Sequence, residues 1–368
     1  MPSHHSPVRL NSPVGRRTLL AAGSGAGAAL ALGSTPPAHA AERRPARRTL
    51  YVDPAGGGDH TTVQAAVDAA SGPGWTLVLA PGTYRETVTV PETSAGLTLI
   101  GASGDPRDTV IVYDNAAGTP KPDGSGTYGT SGSATTTVRA AGLSAHAITF
   151  ANDWLRADHP EYTGTQAVAL KVMGDRSAFF RCRFLGHQDT LYADTVDLGV
   201  FARQYFRDCH VEGDVDFVFG RATAVFERCR FHTLTRSDLT AAPYGFVFAP
   251  STAVANPRGY LVTRGRVTSG APDAYYKLAR PWVPTSDTTA RPMLTVRDTR
   301  LGPGIDATTP YANMREAHPW QSQRFAEYHN TGPGAAVTVP DNRPQLTRAQ
   351  ARSATRSAYL RDWTPRLR

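Results

Sequence analysis

Lysine is almost missing from this chain. Of 39 basic residues in 368, only Lys121, Lys171 and Lys277 are lysine, so the positive charge is carried by arginine scattered without a basic run. That pattern argues against a nucleic-acid stripe; it suits a polyanionic substrate, although a merely soluble basic surface is equally common. No stretch reaches the ~18 apolar residues of a membrane span, so no membrane is expected as a partner. Cysteine is scarce, at three residues, with no Cys-x-x-Cys pair and no histidine at ligand spacing, which argues against a zinc site and leaves no metal to expect. Several enzyme signatures are missing too: no Gly-x-Ser-x-Gly elbow, no His-Glu-x-x-His, no Walker phosphate loop.

The first forty residues form a leader: Arg16-Arg17, an apolar run from Leu19 to Leu32, and the small-residue end Ala38-His39-Ala40. It reads as an export signal cut after Ala40, with the paired arginines favouring the twin-arginine route over general secretion. Its removal takes away Arg9, Arg16 and Arg17 and no acids, leaving 36 basic and 31 acidic residues, a net +5. The remaining chain, 41–368, is read as one secreted, extracellular domain.

An exported location permits a disulfide. Cys182, Cys209 and Cys229 sit in similar settings, Phe-Arg-Cys-Arg-Phe, Phe-Arg-Asp-Cys-His-Val and Phe-Glu-Arg-Cys-Arg-Phe, at spacings of 27 and 20 residues. Equivalent positions on neighbouring coils would bring them close, so a Cys209–Cys229 bridge with Cys182 free is expected; three buried thiols is the alternative.

The mature chain exceeds the ~250–300 residues at which a single globular core stops growing. A solenoid escapes that limit because each coil packs only on its neighbours. Short apolar runs recur at Thr76–Leu79, Leu97–Ile100, Val110–Val112, Ala147–Phe150, Ala167–Leu170, Phe217–Phe219 and Ala224–Phe226, divided by Gly, Asp, Asn and Ser. Only two segments look helical: Thr62–Ala70, with Val63, Ala66, Val67 and Ala70 on one face to cap the stack, and a stretch from Thr347 towards Arg361. The fold class is therefore all-β, a parallel β-helix with short capping helices, with an antiparallel sandwich as the alternative. Gly118–Gly132 and Ala241–Pro257 read as long loops, the second flanking a groove.

Asp189, in Gly186-His187-Gln188-Asp189-Thr190-Leu191-Tyr192, stands 27 residues before Asp216, in Gly213-Asp214-Val215-Asp216-Phe217-Val218-Phe219-Gly220. On stacked coils that spacing sets two carboxylates on adjacent parallel strands, roughly 4.8 Å apart. They cannot both ionise cheaply, so one keeps a proton while the other stays anionic.

Taken together the phrases resemble the pectin methylesterase (pectinesterase) family of carbohydrate esterases. The resemblance runs nearly end to end: Pro81-Gly82-Thr83-Tyr84-Arg85-Glu86, Gln166-Ala167-Val168-Ala169-Leu170, Gln188-Asp189-Thr190-Leu191, Asp216-Phe217-Val218-Phe219-Gly220, Leu278-Ala279-Arg280-Pro281-Trp282 and the terminal Asp362-Trp363. Between Leu239 and Tyr260 it looks closer to bacterial members. It implies a right-handed β-helix, hydrolysis of galacturonate methyl esters in pectin to pectate and methanol, no cofactor, and a monomer. By position, Asp216 matches the nucleophile, Arg280 the arginine that holds it, Asp189 the general acid and base, and Gln166 and Gln188 the oxyanion donors. Trp282 matches the sugar platform, extended by Phe219 and Tyr192; Thr130 matches a substrate-binding threonine; Arg236 is assigned to a free galacturonate carboxylate; Tyr84 and Glu86 are structural. Ala279 and His187 depart from the family's usual Gly and aromatic. An acyl thioesterase of the same fold and a non-catalytic polysaccharide binder are the competing functions.

Overall fold

The structure is a computed structural model that describes residues 48–366. The leader, and with it the expected export signal of residues 1–40, lies outside the described residues. The chain winds into a right-handed parallel β-helix whose coils contribute strands to three sheets of ten, eight and seven strands, every pairing between named strands being parallel. Within one coil the path is regular: Ser177–Phe180 lies in the ten-stranded sheet, Arg183–Leu185 in the eight-stranded sheet and Leu191–Ala193 in the seven-stranded sheet.

Register, not sequence proximity, builds the core. Leu170, Leu191, Val218 and Phe248 stack in one inward row of the seven-stranded sheet. Phe179, Phe206 and Phe226 stack across the ten-stranded sheet with ring centroids 5.0 and 4.8 Å apart. These side chains are fully buried, and each contributes about 1.5–3 kcal/mol of transfer free energy.

The N-terminal helix spans Val63–Ala69. Thr62 caps it by accepting from the Ala65 amide, and Val63, Ala66 and Val67 bury the expected face. The Glu86 carboxylate accepts from the Val63 and Gln64 amides at 2.7 and 2.9 Å, satisfying helix N–H groups that have no internal partner. The Tyr84 hydroxyl donates to the carbonyls of Val52 and Ala80. Glu86 thus holds the capping helix and Tyr84 ties the ends of two neighbouring strands, in keeping with structural roles.

Three expectations need correction. The C-terminal helix is two short ones, Arg348–Ala351 and Arg356–Leu360, each with its own threonine cap, Thr347 and Thr355. The Arg297 guanidinium takes the Ala351 and Ala354 carbonyls at 2.7 and 2.9 Å, and Thr355 turns to extended backbone, so the helix restarts instead of continuing. The segment Ala241–Pro257 is not all loop: Gly245–Pro250 is a strand of the seven-stranded sheet, with Phe248 buried in the core. Its entry requires Gly245, where any Cβ would fall 2.1 Å from the Asp214 carbonyl.

The expected Cys209–Cys229 disulfide is absent. All three cysteines are free and buried. They do stack, because Arg183, His210 and Arg230, the residues that follow them, are in register. In-register parallel neighbours carry side chains about one strand spacing apart, ~4.8 Å, and pointing the same way, whereas bridged cysteines need Cβ atoms about 3.8 Å apart. Each thiol donates instead to backbone carbonyls: Cys182 to Ala145, Cys209 to Phe179 and Cys229 to Phe206.

Candidate active site

The two motif aspartates are brought together as their spacing predicted. Leu191 pairs with Val218, which places Asp189 and Asp216, each two residues earlier, at equivalent positions on adjacent coils. Both sit in the left-handed region, with φ 66° and 50°, at the turn that enters the seven-stranded sheet. Aspartate tolerates that backbone better than most residues, and unusual φ values gather at functional sites because the surrounding structure sustains their cost of about 1–3 kcal/mol. Gly220, at φ 123°, ends the second motif; a Cβ there would meet the Ala193 carbonyl at 2.1 Å.

Arg280 comes from two coils further along. Its Nε donates to both Asp216 oxygens at 2.9 and 3.2 Å and a terminal nitrogen donates to Oδ2 at 2.7 Å, a forked grip on one carboxylate. The guanidinium lies over the Phe246 ring at 4.0 Å, which fixes its plane. Among the described residues, Asp189 has no such partner. Burial, then the charge of Asp216, push its carboxyl well above the ordinary value. Burial also raises Asp216, but the Arg280 hydrogen bonds and charge pull it back, so its rise is the smaller. The pair therefore holds one proton, on Asp189, over a range in which Asp216 is anionic.

The two glutamines stand at the rim of the same cavity of about 380 Å³, with the dyad and Arg280. Thr165 donates its hydroxyl to Gln188 Oε1 at 2.6 Å, which uses the amide oxygen and leaves the NH₂ as the free donor. Thr130 and Trp282 also line the cavity. Tyr192 and Phe219 stack on each other at 4.1 Å and are almost fully buried, so they support Trp282, 6.1 and 5.7 Å away, more than they offer a face of their own.

Arg236 does not belong to this set. It is absent from the cavity lining; its guanidinium forks onto Asp238 at 2.9 and 2.5 Å and donates to the Tyr244 carbonyl. A carboxylate two residues away has already taken the charge that a substrate would need.

Other residues at the site escaped sequence reasoning. Arg221 lies over the Trp282 ring at 5.1 Å and is paired to Asp194 at 3.1 Å. Lys171 lies over Tyr192 at 4.9 Å and donates to Ser131. Met314, Pro284 and Ser286 also line the cavity. Their signal is the outward register of Lys171, Tyr192 and Phe219 across coils, visible only once strand ends are known. Next to the dyad, buried Asp214 receives Arg156 at 3.3 Å and His187 at 3.4 Å, and these partners hold its carboxyl below the ordinary value despite burial.

With this geometry in place, the Pectinesterase family model matches residues 49–362. The chain belongs to the pectinesterase family. A pectinesterase of Ralstonia solanacearum is 34% identical over 312 residues, covering 76% of this chain and 78% of that one. Pectinesterase A of Dickeya chrysanthemi is 33% identical over 284 residues, covering 68% and 73%. Among solved structures, the pectin methylesterase PemA from Erwinia chrysanthemi aligns with a TM-score of 0.76 at 31% identity, covering 86% of this chain and 98% of its own. A pectin methylesterase mutant in complex with a hexasaccharide aligns with the same score, identity and coverage. The coil register thus sets a carboxylate clamped by arginine beside a buried one whose pKa is raised well above the ordinary value.

Proposed function

We propose that this pectinesterase hydrolyses the methyl esters of galacturonate units in pectin, giving pectate and methanol, with Asp216 as nucleophile. The observation that carries the assignment is the forked Arg280 grip on one of two stacked carboxylates. The Asp216 carboxylate attacks the ester carbonyl carbon, and the carbonyl oxygen becomes an oxyanion facing the amide NH₂ groups of Gln166 and Gln188. Amides suit that task because they donate without changing protonation state. Asp189 gives its proton to the methoxy oxygen as the C–O bond breaks and methanol leaves. The acyl group is then a mixed anhydride with Asp216. Asp189, now anionic, takes a proton from water, whose oxygen attacks the acyl carbon to release the substrate carboxyl group and restore the Asp216 carboxylate.

Trp282 is proposed as the face on which a sugar ring rests, with Thr130 as a further substrate contact in the same cavity. Phe217, Phe219 and the buried wall behind them exclude water and sharpen the contrast between the two carboxylates. The paired arginines and small-residue end of the leader support export, with pectin met outside the cytoplasm. The test is methanol release from highly methylated pectin by the mature chain. It is expected for the wild type and absent for Asp216→Ala; release that persists in the variant removes the nucleophile assignment.

A further inference from the structure

A second charged feature lies on a different sheet from the dyad. The first outward positions of the eight-stranded sheet are Arg183, His210, Arg230, Arg266 and Arg300, held in one row by the strand register. Two residues earlier on each coil comes a left-handed turn position, and these too form a row: Arg181, Asp208, Arg228, Arg264 and Asp298, with φ 52°, 56°, 55°, 56° and 48°, Asp298 being paired with Arg297. Arg183, Arg230 and Arg266 of the first row, with Asp208, Arg228 and Arg264 of the second, line a groove of about 760 Å³.

Its charge is not balanced. Asp208 is taken by Arg228 at 2.6 Å, Glu212 pairs with His210 at 3.2 Å, and buried Glu227 takes Arg264 at 3.3 Å. Among the described residues, no carboxylate comes within ion-pair distance of Arg183, Arg230, Arg266 or Arg300. The catalytic cavity is the opposite case, since Arg280 is tied to Asp216 and Arg221 to Asp194. A cavity whose cations are already neutralised suits an uncharged ester. A row of guanidiniums without carboxylate partners, one strand (~4.8 Å) apart from Arg230 to Arg300 and two strands apart where His210 separates Arg183 from Arg230, suits a linear polyanion.

We propose that this arginine row is a binding track for de-esterified polygalacturonate, the product of the enzyme's own reaction. A linear polyuronate carries one carboxylate per pyranose ring, a period of the same order as the strand spacing, so successive carboxylates meet Arg230, Arg266 and Arg300, and a further one reaches Arg183 beyond His210. Each turnover converts a neutral ester into a carboxylate, so a stretch of polymer already processed gains affinity for the row while an esterified stretch enters the cavity. The choice of polyuronate over other polyanions rests on the methylesterase reading above; the existence of an anion track does not.

The experiment compares wild type with the triple variants Arg183→Ser/Arg230→Ser/Arg266→Ser and Arg183→Lys/Arg230→Lys/Arg266→Lys, and with Arg266→Gln alone in case the triple serine variant folds poorly. Fully de-esterified polygalacturonate is the probe, anionic phospholipid vesicles are the control, and methanol release from short methylated galacturonate oligomers is measured in parallel. Polygalacturonate binding is expected to fall roughly tenfold in the serine triple and about two- to threefold in Arg266→Gln, to survive in the lysine triple, and to weaken with salt. Oligomer turnover stays unchanged. Equal binding by wild type and the folded serine variants overturns the proposal, as does a wild-type preference for the vesicles. If wild type released no methanol but still lost polygalacturonate binding on substitution, the catalytic reading would fall and the track would stand.

Discussion

Two corners of the same coils obey one stacking rule with opposite results. At the corner between the ten- and eight-stranded sheets, register places Cys182, Cys209 and Cys229 in a row, each uncharged and bonded to a carbonyl. At the corner entering the seven-stranded sheet the same register places Asp189 against Asp216, and two coils on it delivers Arg280. Repeating a neutral side chain extends the core at little cost. Repeating a carboxylate creates a repulsion that only protonation or a cation relieves, and at this corner both occur, on different members of the pair. Chemistry arises where a stacked position carries charge.

Removing charge at one corner and sulfur at the other should have very unequal consequences. Asp216→Ala is expected to lower kcat by on the order of 10⁴-fold or more, measured as methanol release. Gln188→Ala removes an oxyanion donor and should cost about 10²–10³ in kcat with little change in KM. Trp282→Ala tests the platform; KM should rise about tenfold while kcat stays within a few-fold. Cys209→Ala, at the packing corner, leaves kcat within about twofold and lowers unfolding free energy by about 1–2 kcal/mol, read by denaturant titration.

A subtler test uses pH. The Asp189 carboxyl is raised in the folded state, so the folded protein holds that proton more tightly than the unfolded chain does. Its stabilising contribution is complete below about pH 4, near the unfolded value, and is lost as pH rises through the raised folded value. Asp189→Asn lacks that loss. The variant's melting temperature, compared with wild type, should therefore climb from pH 4 to pH 8 even though activity disappears; a constant difference would mean that Asp189 ionises like an ordinary carboxyl.

Much of the site was legible in the sequence because its residues lie in phrases whose spacing equals one coil. The closeness of Asp189 and Asp216 needed only the period, whereas the roles of Gln166, Gln188 and Arg280 came from the family resemblance of their phrases. What the phrases could not show was anything set by register between distant coils. Arg221 reaches Trp282 only because Gly220 and Pro250 pair, and Lys171 meets Tyr192 for the same kind of reason. The strand at Gly245–Pro250 was hidden by its flanking Gly and Pro, normally turn residues, here used for close approach. Arg236 illustrates the reverse error: Asp238 was in plain view two residues away, and local pairing outweighed the distant role. The cysteine spacing correctly signalled proximity but not orientation, and orientation decides a disulfide.

Ester hydrolysis at this corner depends on the proton shared unequally by the stacked pair. Carbon-13 NMR of carboxyl-labelled aspartate, assigned with Asp189→Asn and Asp216→Asn, follows each group's ionisation directly. The arrangement predicts that Asp216 ionises first and that Asp189 remains protonated far above the ordinary carboxylate range. Simultaneous ionisation of both near pH 4, or Asp189 ionising before Asp216, would contradict it.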